Sequence, residues 1–374
     1  MPRSPALASV ALLSLAALAC SSRAPEVDAG KPAPSASAST SPTLAGATAA
    51  ALASASAAPE PLDAGAIADA GAEAGVVSGD PMANHLETKE ALLALFSIKR
   101  PPKRDSNADG FLNKSFGVTA PSLINQGNKA MAKHAISKEA CLAGLSGITL
   151  QTEEQKHICG GEENMVPISK PGKHPKVCID IFEFPNKACE LPVVWVAPVQ
   201  AKVICELQGK RLCNQEEWTQ ACKGDPDGGK DRKFAYGDEM DLAICNTNKR
   251  AKDFGPGCEP DSASSAWRTC STNTEPSGSF PQCRSRYGVF DQHGNVAEIM
   301  WRRDPDGHIY DQLKGSAFFY VDVARKPDAR GKKETYPDHC AYDPRWHVEK
   351  MSEAWHVNYH LGFRCCKSVK KGDD

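Results

Sequence analysis

Fourteen of the fifteen cysteines fall between Cys141 and Cys366, and Cys20 stands alone near the start. An even set gathered in one region of an exported chain reads as a disulfide framework. The rival reading, a thiolate zinc cluster, wants closely spaced pairs, and no Cys-x2-Cys occurs. Cys141 and Cys159 bracket a short segment and are expected to bridge each other. In Asp291-Gln-His-Gly-Asn-Val-Ala-Glu298, two carboxylates and the turn carbonyls of Gly294 and Val296 have the composition of a hard-cation site, since calcium takes several oxygens from flexible loops. The alternative is a glycine turn with Glu298 in a buried ion pair. Four histidines crowd the end of the chain: His339, His347, His356 and His360. His356 and His360 are four apart and would share a helix face beside Glu353, but spacing fixes no third ligand. Hydrogen-bonded histidines beside Trp346 and Trp355 are the preferred reading.

The elements that must position these groups are short. Glycine and proline are plentiful, 29 and 27 in 374 residues, against 41% apolar residues, so a core framed by many turns is expected. Helices are predicted over Glu87–Phe96, over Ser137–Leu145 behind a capping serine, over Pro198–Gln208 up to Gly209, and over Glu216–Cys222. Val177–Phe184 alternates like a buried strand. The stretch from Pro101 to Gly110 reads as loop. Within it, Asp105–Gly110 lacks the terminal glutamate of a calcium-binding EF-hand loop and is taken as a solvated turn. All six tryptophans lie beyond residue 194, and residues 161–368 read as one folded domain, followed by a polar tail, 369–374. Residues 81–160 read as a short helical extension before it. The formal charge of −2 excludes a nucleic-acid partner held by bulk charge.

Residues 1–19 carry Arg3 and then an apolar run, Ala6–Ala19, too short to span a hydrocarbon core of about 30 Å, which reads as a signal peptide. Ala17-Leu18-Ala19-Cys20 resembles the lipobox of bacterial lipoproteins, with alanine at 17 where leucine is usual. Cys20 would then carry the lipid, and Ser21 lacks the aspartate of inner-membrane retention. Residues 20–80 form a tether: Ala, Ser, Pro and Gly fill 41 of positions 21–80, with no aromatic side chain. Such a segment buries too little surface to offset its conformational entropy, and as a coil it would span roughly 40–45 Å.

A series of motifs, Cys178-Ile-Asp-Ile-Phe-Glu-Phe184, Pro192-Val-Val-Trp-Val196, Gly209-Lys-Arg-Leu-Cys-Asn-Gln-Glu-Glu-Trp218, Ala235-Tyr-Gly237, Gly278-Ser-Phe-Pro281, Tyr287 through Glu298, Gly315-Ser316 and Leu361-Gly-Phe-Arg-Cys365, resembles the formylglycine-generating-enzyme (sulfatase-modifying factor) family in content and order. The resemblance implies an irregular α/β (α+β) domain of C-type-lectin-like topology, disulfide-rich and poor in regular elements. It also implies bridges Cys205–Cys365 and Cys222–Cys340, calcium at the Asp291–Glu298 loop, and part of a second calcium site at Asn246 with the Thr247 carbonyl.

The active members are copper oxidases that convert a peptide cysteine to formylglycine on Cu(I) held by two thiolates, as a soft ion prefers. Those cysteines belong between the Gly-Ser segment and the final Gly-Phe-Arg, where this chain has only Cys340. Copper is therefore not expected. The His-x3-His-x-Glu iron motif of related sulfoxide synthases has no match around His85, His134 and His157. The expected function is a lipid-anchored envelope module that binds or scaffolds a protein or glycan, attached to the membrane through its anchor. The alternative is an oxidase pairing Cys340 with another cysteine such as Cys366.

Overall fold

The computed structural model describes residues 79–96, 108–170, 172–247, 258, 261–319, 339–344 and 348–369. Cys20, the signal and tether segments up to residue 78, and His347 and Trp346 lie outside them. The helices are short, and several are started by a side chain that satisfies orphan amides. Thr88 caps α1 (Lys89–Ala94) and Ser137 caps α3 (Lys138–Gly144), whose Ala140 N–H donates to Ser137 Oγ at 3.1 Å. Thr152 with Gln155, and Asn214 with Glu217, form reciprocal capping boxes at α4 (Glu153–Ile158) and α6 (Gln215–Lys223). Pro198 opens α5 (Pro198–Leu207), and Gly209 follows it at φ +73°, the left-handed conformation that ends a helix. One expectation is corrected: Ala108–Gly110, read as loop, begins α2 (Ala108–Ser115), whose Ala108, Leu112 and Ser115 are buried along one face. A final helix, α7, spans Ala263–Thr269.

Among the described residues two small sheets carry the domain. In the first, β1 (Met165–Ile168), β2 (Val177–Asp180), β7 (Cys365–Ser368) and β3 (Arg211–Leu212) run in the order β1-β2-β7-β3, all antiparallel. In the second, β4 (Ala297–Arg303) pairs antiparallel with β5 (Ile309–Lys314) and parallel with β6 (Leu361–Phe363). The strand expected over Val177–Phe184 ends at Asp180, though Ile181, Phe182 and Phe184 stay buried beyond it. The chain leaves the second sheet at Phe363 and enters the first at Cys365, so Arg364 sits at the junction of the two.

Residues 81–160 are not an appendage. Leu92, Leu112, Phe116 and Ile124 belong to one buried cluster with Phe184, Trp195, Ile204 and Phe363, in which Phe184 stacks on Phe363 at 4.7 Å between centroids. A second cluster joins Ile179, Phe182, Trp218, Phe290 and Met300.

Among the described residues seven disulfides cross-link the chain, six of them within a single buried cluster each. Cys205–Cys365 and Cys222–Cys340 close loops of 160 and 118 residues. The expected Cys141–Cys159 bridge is corrected: Cys141 on α3 faces Cys189, and Cys159 at the end of α4 faces Cys178 on β2. The remaining bridges are Cys213–Cys366, Cys245–Cys283 and Cys258–Cys270. Adjacency in sequence misled here because both cysteines project from their helices toward strands and turns formed later in the chain.

Candidate functional site

The loop from Asp291 to Glu298 is the polar centre of the domain. Asp291, Gly294 and Asn295 adopt φ of 57°, 80° and 55°. Asp and Asn tolerate this region and Gly enters it freely. At Gly294 no other residue fits, since an added Cβ would lie 2.3 Å from the Asn246 carbonyl oxygen. The turned backbone aims successive amides at fixed acceptors: Gly294 N–H donates to Ser316 Oγ at 2.9 Å, Asn295 N–H to the Asn246 carbonyl at 3.0 Å, and Val296 N–H to Glu183 Oε1 at 2.9 Å. The Asn295 side chain donates to Glu183 Oε2 at 2.6 Å and to the Glu275 carbonyl at 3.1 Å, and it accepts from Asn246 Nδ2 and Glu275 N–H. Glu275 in turn accepts the Ala135 and Ile136 amides, tying the N-terminal helices to this centre.

Glu298 faces a cation of the protein itself. Arg364, fully buried, grips it through Nε at 2.5 Å and Nη2 at 2.6 Å, and Trp218 Nε1 adds a third donor at 2.9 Å. The other guanidinium donors go to the carbonyls of Asp180, Ile181 and Phe290, so all five N–H groups are satisfied and strands β2, β4 and β7 are joined. Burial, aided by repulsion from Asp291 and Glu298, raises the Glu183 carboxyl well above its ordinary range. Burial likewise lifts Asp291 to about 7, against the pull of the Gly278 N–H that it accepts at 2.7 Å. Glu183 and Asp291 are thus both pushed toward the protonated form.

This geometry bears on the calcium expected at Asp291, Gly294, Val296 and Glu298. The Glu298 carboxylate is occupied by Arg364 and Trp218, and a divalent ion touching it would stand against a guanidinium. The donor set therefore does not fit calcium with Glu298 as a ligand. What the structure holds is the buried ion pair. At Asn246, buried beside Thr247, Oδ1 lacks any hydrogen-bond partner and is one oxygen that would suit an ion, and a single such oxygen is not a cage. His356 and His360 lie in an extended and turning segment rather than on a helix, so they share no helix face. His360 instead packs edge-on against Phe319 and Tyr359.

Cys340 is bonded to Cys222, and both sulfurs lie against His293: its Nε2 is 3.4 Å from Cys222 Sγ and 3.8 Å from Cys340 Sγ. Every cysteine from Cys141 to Cys366 is taken by a bridge. Two of the larger grooves among the described residues bear on recognition. One, about 620 Å3, lies between α5 and the β4–β5 hairpin and is lined by Val199, Val203, Leu212, Trp301, Ile309 and Met351. The other, about 810 Å3, runs along α6 and carries Lys170, Lys173, Lys176 and Lys223. Reasoning from the sequence passed over Glu183, Asn295 and Arg364 as a connected set. Their signal was present in the Asp-Ile-Phe-Glu, His-Gly-Asn and Gly-Phe-Arg segments, but no spacing reveals that residues 66 and 112 apart touch.

The fold is the irregular, disulfide-rich α/β class of C-type-lectin-like topology. Residues 86–369 match the model of the family described as "Sulfatase-modifying factor enzyme 1-like domain", well over half of the chain, and the chain belongs to that family. The match begins at residue 86 and so takes in the helices that the sequence had set apart. Among solved structures it is similar to CarF, at 14% identity and a TM-score of 0.31, over 48% of this chain and 68% of that one. It is also similar to variable protein 1 of Treponema denticola, at 18% identity and 0.25, over 42% and 47%. The U1 variant of the major tropism determinant follows at 10% and 0.28, over 55% and 52%. The chain thus spans about half the length of the latter two. No match was found among curated proteins. No helix among the described residues is long and apolar enough to cross a membrane.

Proposed function

We propose that this chain is a member of the family without oxidase activity, a binding or scaffolding module for a protein or glycan, held to the cell envelope by a lipid on Cys20. The observation that carries the reading is the state of the sulfurs: Cu(I) chemistry of the family's kind needs two thiolates, and Cys340, the one cysteine between the Gly-Ser segment and the Gly-Phe-Arg motif, is bridged to Cys222. Seven bridges also suit an oxidising compartment, where such a framework persists. They hold a surface made mostly of loops, the usual carrier of recognition, in one conformation. The two grooves described above offer a partner an apolar face beside Trp301 and a lysine-bearing one along α6.

The test is activity against the oxidase alternative. The purified native protein, supplied with Cu(I) and oxygen, is incubated with a cysteine-containing sulfatase-type peptide and the peptide is weighed by mass spectrometry. No conversion to formylglycine is expected. Conversion that is lost in Cys340→Ser would establish the oxidase instead. Metabolic labelling with a fatty acid, with Cys20→Ser as control, tests the anchor.

A further inference from the structure

The groove of about 810 Å3 along α6 carries charge that the fold does not use. Ile168 and Val177, cross-strand partners, close the β1–β2 hairpin, so Lys170, Lys173 and Lys176 lie on its connecting loop, all three exposed. The first half of α6 supplies Gln215, Thr219 and Gln220 to the same lining. Pairing off the charges leaves a surplus. Lys223 is held by Asp231 at 2.8 Å, Glu217 by Arg211, and Asp343 by the buried Lys314 at 2.8 Å. Among the described residues Lys170, Lys173 and Lys176 take no ion pair, and Glu216 is the one unpaired acid of the lining, so three positive charges stand against one negative. A cleft with an excess of one sign draws the opposite sign into it. The walls are also fixed in place. Lys173 N–H donates to the Lys170 carbonyl at 3.0 Å, the Tyr287 hydroxyl to the Ser169 carbonyl, and Val369 N–H to the Lys176 carbonyl at 3.0 Å. Bridges secure both sides, Cys178 beside Val177 to Cys159, and Cys222 on α6 to Cys340. A groove held this way loses little freedom when it is filled.

The rest of the lining decides what kind of anion enters. Ile168, Val177 and Ala341 are its only apolar residues, and no Phe, Tyr or Trp lines it. Protein partners are gripped by aromatic and arginine anchors, with lysine depleted at such interfaces, and single-stranded nucleic acids need rings on which bases stack. The amide and hydroxyl groups of Gln215, Thr219 and Gln220 suit a ligand rich in hydroxyls instead, and a concave site suits a chain rather than a flat bilayer. We propose that the groove between the β1–β2 hairpin and α6 binds an anionic carbohydrate, whose carboxylate or sulfate groups meet Lys170, Lys173 and Lys176 and whose hydroxyls meet Gln215, Thr219 and Gln220. A cleft of this volume holds a short run of sugar units. The inference rests on the binding role proposed above and gives that role a ligand class.

The experiment uses the full chain, titrated calorimetrically with a hexagalacturonate, a heparin-derived hexasaccharide and, as the uncharged control, maltohexaose. At least one acidic sugar should bind, one per chain and at least about tenfold more tightly than maltohexaose, and the one that binds tells carboxylate from sulfate. Its affinity should fall several-fold between about 50 and about 200 mM NaCl as the lysines are screened. K170A/K173A/K176A, at exposed positions where folding tolerates change, should weaken binding by roughly tenfold. K202A/K350A, on the apolar groove, should leave it unchanged. The proposal is overturned if neither acidic sugar binds, if maltohexaose binds as well as they do, if the triple variant binds as the wild type does, or if a hexaglutamate peptide or vesicles of anionic lipid bind more tightly than either sugar. Formylglycine production in the oxidase assay would overturn the binding role itself, whichever sugars bind.

Discussion

Replacing Arg364 by methionine removes the cation that holds Glu298 and leaves an apolar side chain of similar length. Glu298, Glu183 and Asp291 would then share a buried site with no cation, and three carbonyls would lose their donors. Breaking a buried pair by removing one partner costs about 3–5 kcal/mol. For a domain of this size the unfolding entropy is about 0.6 kcal/mol per kelvin, so the melting temperature should fall by roughly 5–8 °C. The sign of the pH dependence separates charge from packing. Without Arg364 the three carboxyls must take up protons to stay buried, so the native state holds more protons than the unfolded one, and stability falls as pH rises. The deficit of R364M measured by urea unfolding should therefore be smaller at pH 5 than at pH 8. In the double variant R364M/E298Q at least half of it should be recovered, since a neutral amide no longer needs the cation. A loss under about 1 kcal/mol, or one that does not change with pH, would refute the reasoning.

Asp311 is buried on β5 and its pKa is raised to about 6, mainly by burial, while it accepts the Glu349 N–H. A folded value above the unfolded one means stability falls as pH climbs from about 4 to 6 and is level above, and D311N should flatten that slope in a pH series of unfolding curves. Gly294→Ala should destabilise by more than about 2 kcal/mol in the same assay, because both its φ of 80° and the Asn246 carbonyl at 2.3 Å exclude a Cβ. Removing the Cys205–Cys365 bridge in the double alanine variant frees a loop of 160 residues. The chain-entropy relation puts that near 5 kcal/mol, seen as a melting temperature lower by roughly 8 °C.

What could be read from the sequence were the features written locally. Ser137, Pro198 and Gly209 announce helix ends because caps act on amides three or four residues away, and α3, α5 and α6 stand where their signals lie. The family motifs supplied the fold class. Helix α2 was missed because its buried face, Ala108, Leu112 and Ser115, carries a single large apolar side chain. For the Asp291–Glu298 loop the sequence left two readings open, an ion site and a buried ion pair at Glu298, and did not name the partner of that pair. Its carboxylates look like ligands until Arg364, 66 residues on, is seen closing on Glu298. The bridges of Cys141 and Cys159 failed for the same reason: partners are set by how helices and strands pack, which spacing along the chain does not encode.

The account rests on the sulfurs of the native domain being bonded to one another. The direct measurement is alkylation of the unreduced protein in denaturant, followed by peptide mass mapping of Cys141 through Cys366. The prediction is that none of the fourteen is labelled and that Cys222 and Cys340 emerge in one cross-linked peptide pair. Label on Cys340 together with any second cysteine would supply the thiol pair that a copper oxidase needs and would contradict the reading.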